Sequence, residues 1–183
     1  MPKATNEKTG RLVPLKDCFI KIPNMRGGQI DLLALPDITD SKSAAYNDEP
    51  IIGRTAPLKT YSYSENRVIS MILHFYITTE RDKVLNLGYL RAIESATYPR
   101  NNSGAPVPFL PPVVCGIRCG DLLSTEGQTL DVVLKSYSVK FPTDVPWDTE
   151  TYVPWSFDVN TTWEAVYDAG NLPGQNRILK VGQ

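Results

Sequence analysis

From Arg67 to Ile77 the chain alternates strictly. One phase carries Ile69, Met71, Leu73, Phe75 and Ile77, and the other Val68, Ser70, Ile72, His74 and Tyr76. A period of two sends successive side chains to opposite faces, so this segment predicts a strand with one fully buried face and one mixed face. Thr79 follows as an N-cap, with Glu80 and Asp82 in the first turn, where the helix dipole favours carboxylates. The helix is expected to run to about Ser95, led on one side by Val84, Leu87, Leu90 and Ile93. Gly88 weakens it and Tyr98-Pro99 ends it.

Further along, Val113–Arg118 reads as a strand and Leu130–Phe141 as a longer one, with Val133, Tyr137, Val139 and Phe141 sharing a face. Turns fall at Gly120-Asp121 and Glu126-Gly127. After a proline-punctuated connection, Val153, Trp155, Phe157 and Val159 alternate with Pro154, Ser156, Asp158 and Asn160, which predicts a half-buried strand. Residues 1–57 show no sustained period. They are expected to form an irregular N-terminal arm with short strands, apolar at Cys18–Ile22 and Gln29–Leu35 and polar and exposed from Ser41 to Pro50. Residues 58–168 then form the domain, with NNSGAPVP (101–108) as a turn or exposed loop, and 169–183 a loose tail. Strand, helix, strand, strand, strand with turn-length links predicts an α+β protein, mainly β. Its form would be an antiparallel sandwich or partly closed barrel with one helix.

Composition mostly excludes. Fifteen prolines and twelve glycines favour short segments over long helices. A net charge of -1, with both signs interspersed, provides no basic stripe to track phosphates and argues against a dedicated nucleic-acid binder. Three cysteines cannot close a disulfide framework, so reduced thiols are expected. No signal peptide is evident, and no apolar run approaches the roughly 20 residues that span a bilayer. The expectation is a soluble protein made in a cytoplasm, without membrane insertion.

Candidate chemistry is sparse. His74, the only histidine, sits inside the alternating strand and reads as structural or surface rather than as a general base. No nucleophile elbow, P-loop or dinucleotide fingerprint is present. Cys115 and Cys119 on one strand would lie roughly 13 Å apart, too far for a shared tetrahedral metal without a turn, so buried thiols are expected. Asp37 to Asp48 loosely matches a calcium loop, but Lys42 stands where glycine is required and the last position is Asp. Two glycosylation sequons, at Asn101 and Asn160, carry no weight without a secretion signal.

Trp147, Trp155 and Trp163 recur every eight residues. Eight extended residues cover roughly 26 Å, and Pro142, Pro146 and Pro154 break the path, so the three cannot form one flat platform on one strand. The expected arrangement is a connector holding Trp147, a strand burying Trp155 and a strand end at Trp163. Val-Pro-Trp occurs twice, but the flanking DTETY and SFDVN do not match, so no repeat is read. One function compatible with this stretch is a β-sandwich carbohydrate-binding module using exposed tryptophans.

The order of GRTAPLKTYSYSENRVISMILHFYI, ERDKVLNLGYLRAIESATYP and LPPVVCGIRCGDLLSTEGQTLDVVLKSYSVKFPTD resembles the inner baseplate and tube-initiating proteins of contractile phage tails. The likeness covers about residues 53 to 168 and rests on element order and short signatures, not on a catalytic motif. Longer relatives in that group carry a LysM module after this domain, for which this chain has no room. The resemblance implies a tail-tube type of fold and a non-enzymatic virion protein of the tail baseplate. It further implies a homo-oligomeric ring, a hexamer by expectation, that initiates the tube or adapts hub to tube. Partners would be other tail-tube and baseplate hub proteins, with DNA only passing through the channel and no cofactor. On this reading the candidate subunit-interface residues are Tyr61, Tyr63, Arg67, His74, Tyr76, Tyr98, Arg100 and Trp147.

Overall fold

The computed structural model of the protein describes residues 15, 17–23, 25, 27–53, 55–101, 109–123 and 128–167. The expected tail, the loop 102–108 and residues 1–14 of the expected arm lie outside the described residues. Seven strands form one antiparallel sheet: β1 (Cys18–Lys21), β2 (Gln29–Asp31), β3 (Asp37–Ser41), β6 (Val68–Tyr76), β9 (Cys115–Cys119), β10 (Leu130–Lys140) and β11 (Ser156–Ala165). Their order is β2-β1-β9-β10-β11-β6-β3. β4 (Ala44–Glu49) and β5 (Leu58–Ser64) form a separate hairpin, and β7 (Arg100–Asn101) and β8 (Phe109–Leu110) a short ribbon. With one helix among the described residues, α1 (Glu80–Ala96), this is the mainly β, α+β class read from the pattern. The sheet does not close, so the barrel alternative falls away. Residues 18–41, within the segment expected as an arm, supply strands at both ends of the sheet.

The core lies on one face. On β6, Ile69, Met71, Leu73 and Phe75 are buried, opposite Trp163, Thr161, Val159 and Phe157 of β11. Phe75 and Phe157 stack with centroids 5.2 Å apart. Each large apolar side chain so buried contributes about 1.5–3 kcal/mol of transfer free energy, which makes the central strands the most firmly held part of the sheet.

β10 follows the expected span but not the expected face. A bulge between Leu134 and Ser136 inserts Lys135, and an extra residue reverses the side-chain phase. Val132 and Leu134 therefore share the core face with Tyr137 and Val139, opposite Ala165, Trp163, Thr161 and Val159, while Val133 lies on the other face. Lys135 pairs with Glu164 at 2.8 Å on the solvent side.

The helix begins where expected. Thr79 Oγ1 accepts from Asp82 N, and the Asp82 carboxylate accepts from Thr79 N, a complete capping box. Its expected face is buried only in part: Ile93 is fully buried and Leu90 packs against the core. Lys83, Asn86, Ala92, Ile93 and Ala96 are buried, and Val84 is 70% exposed. The two polar residues are drawn in by specific partners: Asn86 Nδ2 donates to Tyr76 O at 2.8 Å and Lys83 Nζ to Asp148 Oδ2 at 2.6 Å. A polar group with a matched partner is buried at little cost, so the first turns of the helix face inward with Lys83 and Asn86 while Val84 faces outward.

Candidate interaction surfaces

The β4–β5 hairpin leaves the sheet between β3 and β6. Every residue of β5 is exposed, and all of β4 except half-buried Ala45. Its bonds are internal: Lys59 to Asp48 at 2.8 Å, Thr60 to Glu49 at 3.0 Å, and Tyr46 against Tyr61 edge-to-face at 5.8 Å. At its base Glu65 N donates to Ser43 O at 2.9 Å, and Ser43 Oγ also donates to the Glu65 carboxylate. Ile51, Ile52 and Leu58 stand exposed near the tip, Ile52 fully. The segment that loosely matches a calcium loop is β3 followed by β4, an extended path unlike the tight ligand loop calcium needs. The polar reading of 41–50 caught its exposure but not its pairing, because the partner strand lies beyond the turn around Gly53.

The eight candidate interface residues separate into four groups. Tyr61 and Tyr63 stand together on the hairpin, both more than half exposed. Arg67, His74 and Tyr76 belong to the sheet. Arg67 clamps Asp40 of β3 with Nε 2.9 Å from both carboxylate oxygens, and its Nη1 donates to Leu123 O at 3.1 Å. His74 Nδ1 lies 2.7 Å from Asp158 Oδ1, and its Nε2 lies 3.6 Å from Asp37 Oδ2. Tyr76 is half-buried, and burial, with the Asp158 charge second, pushes its phenol above the ordinary value. Tyr98 precedes the β7–β8 ribbon and Arg100 opens it; Tyr98 and Phe109 are exposed, and Arg100 Nε approaches Pro111 O at 3.4 Å. Beside them, Ile22, Met25, Val84, Leu85 and Tyr89 line an apolar groove of about 540 Å³.

Trp147 belongs to a different place. The two Val-Pro-Trp stretches pair with each other: Trp147 faces Pro154 in an antiparallel bridge, Trp155 N donates to Pro146 O at 3.0 Å, and Asp148 N to Val153 O at 2.9 Å. The turn closes through Tyr152, which takes a positive φ of 53°. Asp148 anchors it, accepting from Lys83, from the Thr151 hydroxyl and from Glu150 N at 3.0 Å. The Lys83 ammonium first, then the Thr151 and Glu150 donors, holds the Asp148 carboxyl well below the usual carboxylate range. Trp147, whose Nε1 donates to Pro142 O at 3.0 Å, and Trp155 line one cleft of about 510 Å³ with Thr78, Glu80, Thr149 and Glu150.

One expectation about the tryptophans reverses. Trp155 lies one residue before β11 and is 56% exposed, whereas Trp163 is completely buried. Trp163 sits between Leu134 and Ile69, and its Nε1 donates to Thr161 Oγ1 at 2.8 Å, which donates on to Met71 O at 3.1 Å. The strand continues through Asn160-Thr161-Thr162, so the buried phase extends to Trp163 and Ala165.

Among the described residues no cluster of three or more His, Cys, Asp or Glu is placed to hold a metal ion, and no helix is long and apolar enough to cross a membrane. No protein-family model matches the chain, and no curated protein matches it in sequence.

Proposed function

We propose that this chain is a non-enzymatic structural subunit of a contractile phage tail baseplate, forming a homo-oligomeric ring that initiates the tail tube or joins hub to tube. The resemblance of residues 53 to 168 motivates the reading, and a mainly β domain with a single helix is compatible with it. The observation that carries it is the β4–β5 hairpin. An isolated two-stranded ribbon is marginally stable in water, and this one has exposed tyrosines along it and exposed isoleucines at its tip. A neighbouring subunit that covers these side chains supplies the missing burial. Ring order, expected as six, follows from closure of such a heterologous contact. DNA would then only pass through the channel, and the site of action would be the virion.

The test is the assembly itself. Mass photometry and negative-stain microscopy of the purified chain, alone and with tail-tube subunits, are expected to show closed rings with a central channel. A chain that stays monomeric under both conditions overturns the reading.

The Val-Pro-Trp cleft favours a second one, a saccharide-binding module. Aromatic faces stack on sugar rings, and the threonine and glutamate side chains of the same cleft bond hydroxyls. This reading expects saccharide-dependent tryptophan quenching that is lost in Trp155→Ala; absence of quenching across a glycan panel removes it.

A further inference from the structure

Cys18 opens β1 and Cys119 closes β9, and the two are direct cross-strand partners. Gly120 N donates to Asp17 O at 2.8 Å just outside them, while Cys18 O accepts from Leu32 N on the β2 side. Cys18 therefore spends its backbone carbonyl on β2, and the Cys18/Cys119 pair is of the non-hydrogen-bonded type, in which facing side chains come closest. That spacing, about 4.5 Å between Cα atoms, lies within the span a disulfide bridges. The two Sγ atoms are 3.1 Å apart and both residues are buried.

We propose that Cys18 and Cys119 are an oxidisable pair that forms a cross-strand disulfide in the folded protein, with a hydroperoxide as oxidant. The pair needs a sulfur approach of about 1 Å to reach the bond length of about 2.05 Å, which side-chain rotation supplies without moving the strands. Either thiol can donate to the other; with Cys18 as the donor, its hydrogen bond holds the Cys119 thiol below its ordinary value, against the opposing effect of burial. In that arrangement Cys119 is the nucleophile. Its thiolate attacks one peroxide oxygen, the O–O bond breaks, and the departing hydroxide takes a proton to become water, leaving Cys119 as a sulfenic acid. The Cys18 sulfur then attacks the sulfenic sulfur; the S–O bond breaks, and hydroxide leaves with the Cys18 proton as a second water. Two thiols and one hydrogen peroxide give one disulfide and two waters, the sulfurs losing the two electrons that the peroxide gains.

Access comes from the strand end. Cys18 is the first residue of its strand and Asp17 before it is exposed, so fraying at this end admits a molecule as small as hydrogen peroxide. Cys115 is an internal control. It lies on the same strand as Cys119 but faces Val132 of β10, and burial pushes its thiol up to about 11. The bond would close a loop across just over half of the chain and fix β1 to β9. A cross-link of that span restricts the unfolded chain strongly.

The experiment treats the folded full chain with hydrogen peroxide, then unfolds it, alkylates free thiols and reads intact and peptide masses. The expected result is loss of two hydrogen masses, one alkylated thiol at Cys115, and a cross-linked peptide joining Cys18 to Cys119. The urea midpoint should rise and return on adding dithiothreitol. Cys115→Ser should cross-link as well as wild type, while Cys18→Ser and Cys119→Ser should not. If those two fail to fold, the wild-type and Cys115→Ser peptide maps decide alone. Three alkylated thiols after oxidation, oxygen adducts without the cross-link, or a bond to Cys115 would each overturn the proposal.

Discussion

Trp163 and Trp155 carry the same side chain eight residues apart and are held in opposite ways. Trp163 is enclosed between β10 and β6 with its one polar atom satisfied, so Trp163→Ala removes a large apolar volume and leaves a cavity. The expected cost is about 3–5 kcal/mol, read as a fall in the urea midpoint. Trp155→Ala, on the exposed rim of the cleft, should change stability by only about 0.5 kcal/mol. A second residue-scale effect is set by Asp148. Its carboxyl is held low by Lys83, Thr151 and the Glu150 amide, so the folded state favours the ionised form more than the unfolded chain does. The stabilisation is therefore complete above the ordinary carboxylate value and is lost as pH falls through that value toward the depressed one. Asp148→Asn should be less stable than wild type at neutral pH, and the gap between their urea midpoints should narrow as pH drops below about 4. A gap that stays constant down to acid pH would remove Asp148 as the anchor of the Val-Pro-Trp turn.

At the scale of elements, local signals were read correctly where local chemistry decides the outcome. The capping box of α1 is one such case. Thr79→Ala removes the acceptor for Asp82 N and should cost about 1 kcal/mol, whereas Thr79→Ser should retain most of it; chemical denaturation of the two variants makes the comparison. The alternation of β6 survives intact because β11 pairs with it in register along its whole length and β3 from Val68 to Ile72. The misreadings arose where a distant partner decides. Val84 and Leu87 form a plausible apolar side, yet α1 turns Lys83 and Asn86 inward, because Asp148 and the Tyr76 carbonyl wait there. A strict period of two cannot register the extra residue at Lys135, so Val133 was assigned to the wrong face. Likewise, Val-Pro-Trp looked accidental in one dimension because a pairing between its two copies exists only once the chain folds back. Cys18 and Cys119 show the same limit: nothing between residues 18 and 119 announces that they are opposite each other.

For the whole molecule, the structure contrasts a sheet with a continuous core and a hairpin that contributes nothing to it. β3 and β6 are antiparallel neighbours with Ser41 opposite Val68, so the connection between them could be a short turn. The chain instead extends through residues 44–64, and among the described residues the hairpin's hydrogen bonds and ring contacts stay within the hairpin and its base. Such a segment is either dispensable or made for another molecule, and one pair of variants separates the two. Replacing residues 44–64 with a short Gly-Ser turn between Ser43 and Glu65 removes no core side chain, and shortening the loop slightly lowers its closure entropy. The thermal midpoint of the monomeric domain should therefore stay within a few degrees of wild type, since about 1 kcal/mol moves a domain of this size by roughly 2–4 °C. Association should be abolished. Ile52→Asp, which places a charge on a fully exposed side chain, should leave folding unchanged and weaken self-association by at least about tenfold if the tip is seated in a neighbour. Sedimentation velocity across a concentration series reads both effects. If both variants associate as wild type does, the hairpin is not the joint between subunits. The proposed ring would then need another surface, with the apolar groove beside Val84 and Leu85 the next candidate.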